Sequence, residues 1–232
     1  MGRPTHYSAE VPARCQRLIE TLSRHVEEAS DPDGRWGGPL KTTFLVAMAT
    51  PMLVLPIERI FKPAGQQHHG VADDRPLDPI LADRILHHLG NGRAFGDAPF
   101  FLRDAWSYVP TTAPFQVAQD WPPPVLQALG SPEAFEAAAR APSRQVLLAL
   151  RNALAHGGVT YLDRHGRQTE FATNMLGFAS FAHPKAPELR LLRISVPGFE
   201  AFLRLWAEWL SSSGVLEQLD RRGPGYFDYA AE

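Results

Sequence analysis

The chain has 232 residues, of which 44% are hydrophobic and 21% charged, a composition that is typical of one globular domain and excludes a disordered chain. Its formal net charge of -2 excludes a globally basic field, so any nucleic-acid partner would have to bind at a local basic patch. Cys15 is the single cysteine, which excludes an intrachain disulfide and a multi-cysteine metal site and favours a reducing compartment.

Helical periodicity dominates the first ninety residues. Apolar residues recur at helical spacing in 12–29, which predicts a first helix. The uncharged run from Thr42 to Ile57 predicts a buried core helix, kinked or interrupted at Pro51 and Pro56. A third helix is predicted to open near Asp78 and to close at Gly90.

Two features favour a cytoplasmic location without membrane insertion. Residues 1–15 contain no apolar core of the kind found in signal peptides. The uncharged run from Thr42 to Ile57 is shorter than the about 20 apolar residues that a spanning helix needs, and it contains two prolines.

The second half of the chain combines helices with a change of period. Residues 93–124 are rich in proline and aromatic residues and predict irregular packing or a pocket of unknown role. Helices are predicted after Ser131 and after Ser143, both expected to act as caps, with the second helix ending at Gly157.

A small β element is predicted between that helix and the last one. Val159 and Tyr161 alternate with polar residues, and Phe171 follows a turn, which indicates a hairpin; Leu189 to Val196 supplies a third strand. Pro197 opens the last helix. The sequence therefore predicts a mainly α fold: a single helical domain over 1–212, a β element at about 158–196, and a C-terminal tail over 213–232.

Polar residues collect at the end of the helix that stops at Gly157. The stretch "RNALAHGG" places Arg151, Asn152 and His156 directly before two glycines. One interpretation is purely structural, because basic residues in a last turn compensate the helix dipole and glycine ends a helix. The other interpretation is a functional site. Arg151 and His156 are five residues apart and therefore about 140° apart around a helix, so they do not share a face. Their convergence on one phosphate would need Arg151 to reach round, the helix end to open, or a second chain.

The segment "RNALAHG" resembles the Arg-x4-6-His signature of the HEPN superfamily (higher eukaryote and prokaryote nucleotide-binding domains), in which a polar residue often follows the arginine. The apolar helix ending in "VLPIERIF" also resembles the N-terminal part of some prokaryotic members. The resemblance implies a helical bundle and a homodimer in which two motifs face each other. It further implies a metal-independent endoribonuclease without a cofactor, acting in toxin, defence or stress biology.

The resemblance gives Arg151 and His156 the catalytic roles, with Asn152 assisting by holding the His156 ring or by binding substrate. Histidine moves protons near neutral pH, and arginine holds a phosphate and stabilises the charge of the transition state. Phosphate contacts are expected from a local basic cluster of Arg144, Arg151, Arg164, His165 and Arg167. Other members of the superfamily are non-catalytic: they bind nucleotide or RNA, or act as partner of a nucleotidyltransferase or an antitoxin.

Two histidine pairs are candidate metal ligands in the sequence. His87 and His88 are adjacent on a predicted helix and point about 100° apart, which makes them poor joint ligands. His68 and His69 lie in a predicted loop without a third partner at a suitable spacing, so no metal site is expected.

Overall fold

A computed structural model of the chain describes residues 3–29, 40–61, 72–90, 92–113, 115–117, 120–182 and 187–212. In chain order the elements are α1 (Tyr7–Glu28), α2 (Lys41–Pro56), a π-helical segment (Ile57–Phe61), α3 (Pro79–Gly90), a 3-10 turn (Phe95–Asp97), β1 (Ser107–Thr111), α4 (Pro123–Leu129), α5 (Pro132–Arg140), α6 (Ser143–His156), β2 (Val159–Leu162), β3 (Met175–Phe181), β4 (Leu189–Ser195) and α7 (Val196–Ser211). The predicted mainly α fold with a small sheet before the last helix is thereby confirmed. The predicted tail at 213–232 lies outside the described residues.

The apolar helix α2 is the centre of the helical layer and packs against α1, α6 and α7. Its α-helical bonding ends at Pro56, where the chain continues as the π-helical segment, so the interruption predicted there is confirmed; at Pro51 the α-helix continues. Because Pro56 has no N–H, the carbonyl of Met52 has no partner within the helix. The indole Nε1 of Trp206 supplies one, donating to the Met52 carbonyl at 2.8 Å.

Within the described residues, Lys41–Phe61 is the one stretch long and apolar enough to cross a membrane by length and composition. In the fold, its inward side contributes Leu45, Ala49, Met52 and Leu53 to the core, each with no exposed surface. The expectation that this helix belongs to a folded core is in accord with that packing, while the cellular location stays a prediction.

Helix α1 begins at Tyr7, five residues before the predicted start at residue 12. Pro12 lies buried inside the helix and not at its start. The helix can begin earlier because the His6 side chain caps it, with Nδ1 accepting a hydrogen bond from the Ala9 amide at 3.2 Å.

A buried carboxylate ties the start of α1 to the π-helical segment. Asp74 is fully buried and accepts hydrogen bonds from the Ser8 hydroxyl at 2.7 Å and from Arg59 Nη2 at 2.6 Å. Burial raises the pKa of Asp74, but the hydrogen bonds from Arg59 and Ser8 outweigh burial and lower it. The ionised carboxylate therefore fixes the segment that carries Glu58.

The sheet has the order β1-β4-β3-β2, with every neighbouring pair antiparallel. Strand β1 comes from the 93–124 region, so the prediction that the β element lies only at about 158–196 was incomplete. The strand escaped prediction because its burial does not alternate and because it contains Pro110, which an edge strand tolerates.

The sheet is packed on both faces. On one face, Phe178, Leu192 and Ile194 join the main core beneath the helices. On the other face, Ala179, Leu189 and Leu191 pack with Trp121 and Leu129 in a second, smaller cluster. The segment from Trp121 to α4 therefore acts as a cover for the outer face of the sheet.

Two smaller expectations were wrong. Phe171 was expected in the second strand of the hairpin, but β3 begins at Met175 and Phe171 is 75% exposed in the connection before it. Ser143 was expected to cap α6, but Pro142 occupies the cap position and the Ser143 hydroxyl donates to the Ala94 carbonyl at 3.2 Å.

Candidate functional site

The motif lies at the C-terminal end of α6, where the chain leaves the helical layer and enters the sheet. Gly157 ends the helix with φ +75°, a left-handed conformation that glycine adopts without strain. The amides of Gly157 and Gly158 both donate to the Ala153 carbonyl. A Cβ at Gly158 would lie 2.2 Å from the Ala179 carbonyl oxygen, because α6 and β3 meet there. The structural interpretation of the two glycines is therefore correct.

Arg151 faces the π-helical segment. Its Nη2 forms an ion pair with Glu58 Oε1, and its Nη1 donates to Asn152 Oδ1 at 2.7 Å. The Arg151 side chain is 13% exposed. Its guanidinium is thus held in one orientation by two acceptors of the same chain, and π-helical turns of this kind are frequent at functional sites.

His156 lies in the last turn of α6 and is exposed to solvent. In the described part of the chain, no hydrogen bond joins Asn152 to His156; Asn152 accepts from Arg151 instead. Within one chain, Arg151 and His156 therefore occupy different sides of α6, as their separation by five residues implies.

Arg144 also contacts the π-helical segment. It precedes Arg151 by seven residues, which is about two helical turns, and its guanidinium carbon lies 5.2 Å from the centre of the Phe61 ring. Arg144 and Arg151 thus share one face of α6 and make a cation–π contact and an ion pair with the same segment.

Arg164 and Arg167 lie elsewhere, on the turn after β2. Strand β2 runs over four residues, or about 13 Å, between the end of α6 and this turn. The basic residues that were expected in one cluster therefore lie in two places: Arg144 and Arg151 against the π-helical segment, and Arg164, His165 and Arg167 at the far end of β2.

Glu58 is the site residue that sequence reasoning missed. A signal was available, because Glu58 is the first charged residue after the uncharged run that ends at Ile57. A carboxylate in that position must find a partner when the helix is buried. Its pairing with Arg151, 93 positions later in the chain, depends on the packing of α2 on α6 and could not be seen in the spacing.

Across the residues that the structure describes, no group of three or more His, Cys, Asp or Glu side chains is placed to hold a metal ion. The His88 ring packs edge-on against Trp209, with centroids 5.4 Å apart. His68 and His69 lie outside the described residues.

Comparison of the chain with models of known protein families, with curated proteins and with solved structures gives no match.

Proposed function

We propose that this chain is an endoribonuclease of HEPN type, which cleaves RNA without a metal ion and acts as a homodimer in a cytoplasmic toxin, defence or stress response. The observation that carries the proposal is the set Arg151, Asn152 and His156 at the end of a buried helix, in a mainly helical fold. Solvent exposure of His156 and fixation of Arg151 by Glu58 support it.

The residue types suit cleavage of a phosphodiester by the 2′-hydroxyl of RNA. The 2′-oxygen bonds to the adjacent phosphorus and loses its proton, while the 5′-oxygen of the next nucleotide leaves and takes up a proton. The products are a 2′,3′-cyclic phosphate and a 5′-hydroxyl. His156 is suited to move these protons, and the permanently charged Arg151 to stabilise the negative charge that grows on the phosphate oxygens.

The geometry of α6 favours a site built from two chains. In one chain, Arg151 points to the π-helical segment while His156 is exposed at the helix end. Two-fold pairing of the helix ends would bring His156 of the partner subunit towards Arg151. Each composite site would then take its arginine from one chain and its histidine from the other.

One observation favours a second candidate. Both terminal nitrogens of Arg151 already have acceptors within the chain, Glu58 and Asn152, and neither needs to be a substrate. This suits a non-catalytic HEPN subunit that binds nucleotide or RNA, or that serves as partner of a nucleotidyltransferase or an antitoxin.

Incubation of the purified chain with mixed RNA in EDTA distinguishes the endoribonuclease from the non-catalytic subunit. Cleavage by the wild-type chain, lost in His156→Ala and in Arg151→Ala, is the expected result. His25→Ala is the matched control for histidine, because His25 is also exposed in the last turn of a helix. Arg190→Ala is the control for arginine, because Arg190 is 20% exposed and paired with Glu188. Intact RNA that is nevertheless bound would instead support the non-catalytic subunit.

A further inference from the structure

The turn between β2 and β3 presents three basic side chains in a fixed arrangement. Asp163 Oδ1 accepts the amide of His165 at 2.8 Å and the amide of Arg167 at 2.9 Å. Gly166 closes the turn with φ +77°. The Asp163 carboxylate is thus occupied by backbone amides. The side chains of Arg164, His165 and Arg167 are exposed, and Arg164 Nε donates to His165 Nε2 at 3.1 Å.

A buried arginine lies directly behind this turn. Arg193 of β4 is only 8% exposed, and its Nη2 donates to the Leu129 carbonyl at 2.7 Å. Its Nη1 faces Gly166, where a Cβ would lie 2.5 Å away, so only glycine lets the turn approach so closely. Burial lowers the pKa of Arg193, because removing its guanidinium from water disfavours the charged form.

Asp163 is the acidic side chain of this turn, and its pKa is lowered by the Arg167 and His165 amides that it accepts and by the nearby Arg167 guanidinium. Among the described residues, no carboxylate forms an ion pair with Arg164, Arg167 or Arg193. A buried cation without an acidic partner is costly, and a single carbonyl acceptor offsets only part of that cost. An anionic ligand near the turn would compensate this buried positive charge.

A cleft opens beside the turn. It has a volume of about 590 Å³ and is lined on one side by His165, Arg167 and Gln168. Pro122, Leu126 and the carboxylate-bearing Asp120 also line it. The size is within the range of small-ligand pockets, and the lining combines cations with an apolar wall.

We propose that this turn binds the phosphate group of a nucleotide or of RNA. Arg167 and His165 contact the phosphate oxygens, and Arg193 supplies positive charge from behind Gly166. The choice of RNA as one source rests on the proposed function, whereas binding of a phosphate ester as such does not.

Isothermal titration with adenosine 5′-monophosphate, inorganic phosphate and a 2′-O-methyl oligoribonucleotide tests this inference. We expect Arg167→Ala to weaken binding of the monophosphate about tenfold through the loss of one charge-assisted contact, and Arg193→Gln to weaken it to a similar extent through the loss of the buried positive charge. Arg17→Ala, at an exposed arginine on α1, is the control and should bind as wild type. Should Arg193→Gln fail to fold, Arg164→Ala and Arg167→Ala on the exposed turn still test the phosphate site.

Comparison of the three probes also identifies the source of the phosphate, and it distinguishes failure of the phosphate site from failure of the nuclease proposal. Tighter binding of the oligonucleotide than of the monophosphate, lost in the same variants, assigns the turn to RNA; the reverse order assigns it to a free nucleotide. If the wild-type chain leaves RNA intact but binds monophosphate through Arg167, the phosphate site stands and the nuclease proposal fails. Absence of binding by all three probes, or binding that Arg167→Ala and Arg193→Gln leave unchanged, overturns the phosphate site.

Discussion

At the scale of single residues, the candidate site is defined by what Arg151 touches. The arginine is mostly buried, and Glu58 is its acidic partner. Because the Arg151 side chain is only 13% exposed, removal of Glu58 leaves the arginine without its acidic partner in a poorly solvated position. This pair both fixes the guanidinium and links α6 to the π-helical segment.

We expect Glu58→Ala to lower the free energy of unfolding by about 1–3 kcal/mol, measured by urea denaturation, since Arg151 then loses its counter-charge. In the Arg151→Met background the same change should cost less, so a double-mutant cycle isolates the pair from the other contacts of Glu58. Glu208→Ala is the control, because the exposed Arg204–Glu208 pair should contribute less than about 0.5 kcal/mol. Equal costs for Glu58→Ala and Glu208→Ala would contradict the interpretation.

At the scale of elements, the sequence predicts those helices that have local start and stop signals. Asp78 and Pro79 open α3, Gly157 ends α6, and Pro197 lies in the first turn of α7. These local signals do not predict the features that depend on contacts between residues distant in sequence. Strand β1 exists because β4 pairs with it, and Arg193 is buried because Leu129 and Gly166, both distant in sequence, enclose it.

The junction between α6 and β2 is the element on which the motif depends, and its two glycines should respond differently to substitution. Gly157→Ala should cost about 1 kcal/mol, the strain of a positive φ at a site with open space around it. Gly158→Ala should cost more than about 2 kcal/mol, because its Cβ would collide with the Ala179 backbone carbonyl and force α6 away from β3. Thermal or urea unfolding of the two variants measures the difference, and equal costs would mean that the junction is loosely packed.

At the scale of the whole molecule, the sheet separates two sets of cations. The helices cover one face, and the end of α6 carries the motif beside β2. The Trp121–α4 cover lies on the other face, together with Arg193 and the turn that contains Gly166. On this account, cleavage takes place at the helix end, and the turn holds a phosphate at a distance from it.

The central claim is that Arg151 of one chain acts with His156 of another. Arg151→Ala and His156→Ala chains, each inactive alone, are refolded together with different tags. RNA cleavage in EDTA is measured on the whole mixture, in which the presence of dimers with both tags is verified. We expect the mixture to recover about a quarter of the wild-type rate, because half of the dimers are mixed and each mixed dimer holds one intact composite site. Cleavage that stays at the level of the separate variants, although mixed dimers are present, would contradict the claim.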